Sequence, residues 1–296
     1  PAGRPGRHPG PGRGMTPPAS PPGRRRFGPP WPESPGRRST VSPGPAACLR
    51  GLLRLASGAV FLAGLWVFAA SVEAAADPGT RDKRMRLLRM RGARYLSSLL
   101  GVIRVRRGRP SEGTFLAAGN HISWLDSLVV VAETGAAYTA YSRDSRLVDS
   151  FLRVMGTILL PRGYAASLPG AVKAAAERLR AGCPVGVFPE GTTTFGPGCL
   201  PFKPAFFQAA LDTGVPVQPF ALTYETPVPW PSAPRSVHWV DWTPLPLHVF
   251  RVLCLPRIEA RVAWLPAILP EAGEDRRGLA SRTEAAVRVG LAAGAA

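Results

Sequence analysis

An α/β fold preceded by an N-terminal membrane-associated helical pair is the architecture this sequence predicts. Three observations carry it. From about residue 112 onward, short apolar runs alternate with helical stretches, the pattern of strands layered against helices. An uncharged block, Leu55–Val72 (LASGAVFLAGLWVFAASV), runs for eighteen residues, at the short edge of what crosses a bilayer as a helix. A dense basic stretch from Arg81 to Arg109 follows it. The 296 residues allow one large or two modest domains, and 45% of them are hydrophobic, enough for a sizeable core.

Residues 1–45 are Pro-, Gly-, Arg- and Ser-rich, and eight arginines (Arg4, Arg7, Arg13, Arg24, Arg25, Arg26, Arg37 and Arg38) face only Glu33. Such a segment buries too little apolar surface to offset its ordering entropy, so a disordered tail is expected. The apolar block lies too far in, and lacks a processing site, for a cleaved secretory signal. Arg50 and Arg54 precede it and the heavier basic cluster follows, which directs the bulk of the chain to the cytoplasmic face of the cell inner membrane. Spanning the bilayer and dipping into one leaflet both remain open.

Arg81–Leu100 reads as a second helix. Met85, Leu88, Gly92, Leu96 and Leu99 recur at helical spacing, and Arg84, Arg86, Arg89, Arg91 and Arg94 fill much of the remainder. Alone it fits either an interfacial helix on anionic lipid or a core-packing helix with a solvated face; joined to the block before it, the interfacial reading is favoured. The segments expected are thus a tail over 1–45, anchoring helices over 46–110 and an α/β domain over 111–296. Within the domain, strands are expected at Phe115–Ala118, Ala137–Tyr141, Thr157–Leu160, Val185–Phe188, Val217–Leu222 and Ile258–Ala263. Helices are expected at Trp124–Glu133, Leu168–Ala181 and Pro204–Asp212, a Pro-rich surface loop around Thr226–Pro234, and packing or interfacial aromatics over His238–Trp242.

The charge balance is 37 Lys+Arg against 19 Asp+Glu, a net +18 that favours anionic partners. Its concentration in the tail and beside the apolar block, with no recognition module, points to an anionic lipid surface and away from nucleic acid. Cys48, Cys183, Cys199 and Cys254 are scattered, so neither a disulfide framework nor, with the four histidines, a metal site at a recognised spacing is expected.

Two constellations carry chemistry. Asn120-His121-Ile122-Ser123-Trp124-Leu125-Asp126 follows a predicted strand and opens a predicted helix, at a strand end where α/β folds place reactive side chains. That spacing brings the Asp126 carboxylate to one imidazole nitrogen of His121, fixing the tautomer and freeing the other nitrogen as a base. The second is Val187-Phe188-Pro189-Glu190-Gly191-Thr192-Thr193, about 70 residues later, with Leu200-Pro201-Phe202-Lys203 and Val215-Pro216-Val217-Gln218-Pro219 beyond it. Taken singly, Glu190 is equally a turn residue that accepts backbone hydrogen bonds.

The ordered set, His-x4-Asp, then Phe-Pro-Glu-Gly-Thr, then Val-Pro-x-x-Pro, resembles the glycerolipid acyltransferase family over roughly Phe115–Phe220. The resemblance implies a mixed sheet flanked by helices and an N-terminal membrane motif matching Leu49–Leu100. It implies transfer of a fatty acyl group from a thioester of coenzyme A or acyl carrier protein to the free hydroxyl of a lysolipid, with no bound cofactor or metal. His121 would be the general base and Asp126 its orienting partner. Gly156 and Arg162 match the second block, whose arginine contacts the acceptor headgroup. Glu190, Gly191 and Thr192 would shape the acceptor pocket with Lys203 nearby, and Val215–Pro219 would build its wall. Many phosphate-handling members continue Glu-Gly-Thr with arginine, where this chain has Thr193. A hydroxyl does not replace bidentate phosphate recognition. The acceptor then either holds its phosphate through Arg162 and Lys203 alone or lacks one: the first choice is 1-acylglycerol-3-phosphate and the runner-up lyso-ornithine lipid; a non-catalytic membrane scaffold is the alternative of another class.

Overall fold

In the computed structural model, the described residues are 43–142, 145–161, 167–196, 198–227, 233–240 and 244–294. The N-terminal tail and Arg162 fall outside them.

Two helices open the described chain, α1 (Pro45–Ala75) and α2 (Pro78–Leu99). Then come β1 (Val102–Arg107), β2 (Leu116–Gly119), α3 (Leu125–Thr134), β3 (Ala137–Tyr141), α4 (Arg146–Val154) and β4 (Ile158–Leu160). They are followed by α5 (Leu168–Arg180), β5 (Val185–Val187), α6 (Phe207–Leu211), β6 (Val217–Glu225), α7 (Ala233–Ser236), α8 (Leu245–Cys254), β7 (Ile258–Trp264) and α9 (Arg276–Gly294). The seven strands form one mixed sheet in the order β1-β7-β6-β2-β5-β3-β4. Every neighbouring pair is parallel except β6 and β7.

Leu116–Gly119 is buried on both faces, which is why β2 reads as a continuous apolar run and lies at the sheet's centre. One core cluster packs Ala117, Phe220, Leu222 and Val262 under Leu125, Val129 and Val130 of α3 and Val252 of α8. The other packs Leu116, Ala118, Val185 and Val217 against Ala175 of α5, Ala210 of α6 and Leu279 of α9. Val102–Arg107, read as part of the basic anchor, is an edge strand parallel to β7. Its single buried residue is Val102, so the alternation signal is faint.

The basic residues of the N-terminal pair serve differently from the expected lipid-facing charge. Arg86 Nε donates to Thr134 O (3.0 Å), Arg89 Nε to Gly135 O (3.0 Å) and Arg94 Nε to Ala132 O (2.8 Å), all at the carboxyl end of α3. Arg50 Nη2 donates to Cys254 O (3.0 Å) and Arg54 Nη1 to Leu253 O (3.1 Å) at the end of α8. The last carbonyls of a helix lack intrahelical partners and carry partial negative charge, so guanidinium groups satisfy both needs. Arg89 is 4% exposed. Helical periodicity assigns arginine to water, whereas its length lets it reach a neighbouring helix end.

Along its apolar stretch α1 lies on α2. Phe61 meets Tyr95 with ring centroids 4.2 Å apart, and Leu65 packs over Gly92, where an added Cβ would lie 3.0 Å from its methyl. Much of α1 is nonetheless bare, with Val60, Val67 and Phe68 76%, 66% and 59% exposed.

Candidate active site

Register brings the two constellations together. β2 and β5 are adjacent and parallel with Ala118 opposite Val187, so the residues leaving their carboxyl ends, His121 and Glu190, emerge side by side. Asn120 ends β2 by extending the ladder through its side chain: its Nδ2 donates to Leu222 O (2.9 Å) and its Oδ1 accepts from Leu222 N (2.8 Å). The chain then turns, and Asp126 in the first turn of α3 faces back.

Asp126 is fully buried, and its Oδ2 lies 2.7 Å from His121 Nδ1. The same oxygen accepts from the amides of Ile122 (2.7 Å) and Ser123 (2.9 Å), while Oδ1 accepts from the Tyr224 hydroxyl (2.8 Å). Nδ1–H donating to the carboxylate leaves a lone pair on Nε2, which has no hydrogen-bond partner among the described residues; the imidazole side chain is 21% exposed. Phe188 stacks on it, centroids 4.0 Å apart and planes 8° from parallel, and fixes the ring plane.

Glu190 is a buried carboxylate bridging two backbones. Its Oε1 accepts from His121 N (2.6 Å) and its Oε2 from Leu200 N (2.7 Å). Burial pushes its pKa up to about 7, while those two amide bonds pull it down. It thus accepts backbone bonds, as the turn reading allowed, and those bonds pin the His121 loop. Gly191 has φ 69°, and a Cβ there would collide with the Lys203 ammonium. Lys203 is exposed and has no carboxylate within ion-pair distance among the described residues; Thr192 is exposed beside it. Arg162, the remaining expected site residue, lies outside the described residues.

The neighbouring hydroxyls are committed. Ser123 Oγ, buried, donates to Val237 O (2.8 Å), and Thr193 Oγ1 donates to Trp239 O. Thr194 Oγ1 lies 3.3 Å from His121 O.

One expectation changes. Val215–Pro219 does not form a wall at this end: Val217 pairs with Leu116 at the amino end of β2, and Gln218 is buried, bonded to Ser111 and Leu265. The useful part of β6 is its continuation, Phe220–Glu225, which outruns β2 and stands beside the dyad. Gly156, φ 79°, turns the chain at the amino end of β4, where a Cβ would meet Arg89 and Arg178.

Sequence reasoning passed over Tyr224, although Phe220, Leu222 and Tyr224 share the period of two that puts them on one face. It also gave His238–Trp239 only a packing or interfacial role. Trp239 N donates to Ile122 O (2.9 Å) and His238 Nδ1 to Phe195 O (2.9 Å), so this segment ties both motif loops together. No local pattern signals that, because its partners are distant in sequence.

Such an arrangement can take a proton from an incoming hydroxyl, the chemistry of a transferase whose nucleophile arrives with the substrate. Comparison with known proteins gives the family. The Acyltransferase family model matches residues 102–223. A 1-acyl-sn-glycerol-3-phosphate acyltransferase from Neisseria meningitidis serogroup B is 29% identical over 248 residues, covering 82% of this chain and 93% of the relative. Lyso-ornithine lipid O-acyltransferases from Rhodobacter capsulatus and Pseudomonas aeruginosa are 30% and 32% identical, covering 67% and 70% of this chain and 73% and 79% of those relatives. The chain belongs to the acyltransferase family. The crystal structure of the 1-acyl-sn-glycerophosphate acyltransferase PlsC from Thermotoga maritima superposes with a TM-score of 0.63 at 21% identity, covering 84% of this chain and 95% of that one, and shares its fold.

Proposed function

We propose that this acyltransferase moves a fatty acyl group from a thioester of coenzyme A or acyl carrier protein to the free hydroxyl of a lysophospholipid, 1-acylglycerol-3-phosphate giving phosphatidic acid. The carrying observation is the dyad: His121 is held through Nδ1 by a buried carboxylate, its Nε2 is unengaged among the described residues, and the Ser123 and Thr193 hydroxyls beside it are committed. In this reading His121 Nε2 takes the proton of the acceptor hydroxyl as its oxygen attacks the thioester carbonyl. The tetrahedral intermediate then collapses, the C–S bond breaks, and the leaving thiolate recovers that proton from the imidazolium. General-base assistance of this kind is worth about 10²–10⁴-fold. No step requires a bound cofactor or metal.

Lys203, without a carboxylate partner among the described residues and resting over Gly191, supplies positive charge for an acceptor phosphate, with Arg162 and Glu190–Thr192 shaping the headgroup pocket. Thr193, turned onto Trp239 O, contributes nothing to that charge. A threonine at this position and the two lyso-ornithine lipid O-acyltransferases at 30% and 32% identity favour lyso-ornithine lipid as the second reading. The deciding measurement is product mass from purified protein, one long-chain acyl thioester and a panel of lysolipids. Phosphatidic acid is the expected product; turnover on lyso-ornithine lipid with none on lysophosphatidate would replace the first acceptor with the second.

The membrane is the third participant, on the cytoplasmic face of the inner membrane. The apolar stretch of α1 is paired with α2, whose Lys83, Arg84, Arg91 and Arg94 are exposed. A spanning α1 would carry those charges into hydrocarbon at about 2.5–3.5 kcal/mol each, so the pair lies in one leaflet with Val60, Val67 and Phe68 toward the acyl chains. Replacing Val67 and Phe68 together with glutamate is expected to abolish flotation with vesicles of anionic phospholipid; undiminished flotation would refute this orientation.

A further inference from the structure

The two oxygens of Asp126 are treated unequally. Oδ2 receives three donors, His121 Nδ1 and the amides of Ile122 and Ser123, all from its own loop. Oδ1 receives its bond, 2.8 Å, from the hydroxyl of Tyr224 on β6, 98 residues away in sequence. Asp126 is 0% exposed and Tyr224 5%, in a cluster containing Ile122, Leu125, Phe220, Leu222 and Val237, so no apolar neighbour can replace that donor.

We propose that Tyr224 is a positioning residue for the acyl transfer, its hydroxyl holding the Asp126 carboxylate ionised and turned so that Oδ2 meets His121 Nδ1. The inference rests on His121 being the base. Tyr224 is too deeply buried to touch either substrate, so it acts through the carboxylate. The phenol stays a donor at any working pH, because burial and the adjacent Asp126 charge raise its pKa well above the ordinary value.

Without that hydroxyl, an ionised Asp126 would keep a bare buried oxygen. A proton arriving on either the imidazole or the carboxylate relieves the strain, so the pair takes up its first proton at higher pH. The other titratable groups around it are Glu190 beyond β5, Tyr138 on β3 and His238 beyond α7. Burial raises Glu190 to about 7 and, with Asp126, raises Tyr138, while burial lowers His238. All three side chains are retained in a Tyr224→Phe variant, so the lost hydroxyl is the one group removed.

The experiment is a set of pH–rate profiles on the full chain in lipid–detergent micelles. Tyr224→Phe is expected to lower kcat about 10-fold, with KM for donor and acceptor each within about twofold, and to move the acid limb of kcat/KM upward by about one pH unit. In an Asp126→Asn background the same change is expected to have no effect. An unmoved acid limb in folded Tyr224→Phe, or an equal effect in the Asp126→Asn background, would reduce Tyr224 to packing. Should the phenylalanine variant fail to fold, 3,5-difluorotyrosine at position 224 keeps the shape and strengthens the donor; the acid limb must then move downward, and an unmoved limb again overturns the proposal. His121→Ala separates the two readings. If it retains turnover, the dyad mechanism itself fails; if it abolishes turnover while Tyr224→Phe changes nothing, only the positioning role fails.

Discussion

Replacing His121 with alanine is expected to reduce kcat by at least about 100-fold, with donor and acceptor KM little changed. In the proposed mechanism the imidazole contributes the proton transfer, and removal of a positioned base typically costs about 10²–10⁴-fold. Binding survives because the surrounding loop is held by groups other than the ring: His121 N to Glu190, His121 O from Thr194 N (2.8 Å), and Ile122 O from Trp239 N. Single-turnover acyl transfer to the lysolipid measures it. Wild-type turnover in a preparation free of host acyltransferase would eliminate His121 as the base.

Glu190 predicts an equally large effect on stability. Its carboxyl is raised from 4.5 to about 7 in the folded chain, chiefly by burial. Between those values the folded protein holds a proton that the unfolded chain has released, so stability is full below the lower value and falls as pH rises through the upper one. The shift corresponds to about 3 kcal/mol. Glu190→Gln removes the titration, so the stability difference between variant and wild type should drift by about 3 kcal/mol in the variant's favour from about pH 5 to about pH 8. Urea unfolding in a mild detergent at the two pH values tests it; a constant difference would mean the carboxyl is not displaced. At the upper end of that range the wild type accepts this cost because an ionised Glu190 gives both the His121 and Leu200 amides an anionic acceptor, which an amide side chain does not.

The legible parts of the molecule were those whose burial is two-sided or whose motif is local. β2, β3 and β5 announce themselves as short apolar runs, and Ala137–Tyr141 matches its expected strand end to end. The His121–Asp126 contact follows from five residues of spacing across a strand–helix junction. What stayed hidden depends on long-range pairing. β1 has one buried residue among its six. α8, which no expected helix covered, begins among Pro244 and Pro246, and proline is well suited to a helix's first turn. Tyr224 lay two residues past the expected end of β6, and only the sheet reveals that β6 continues alongside the dyad.

The guanidinium clasps between the first two helices and the ends of α3 and α8 decide what kind of object this enzyme is. Arg89 alone reaches Gly135 at the end of α3, Met155 beyond α4 and the thiol of Cys183 ahead of β5. The N-terminal pair is therefore structural masonry for the same helix that carries Asp126 in its first turn, not a detachable mooring. Trimming it away to obtain a water-soluble catalyst would unroof the very elements that hold His121 and Asp126 together.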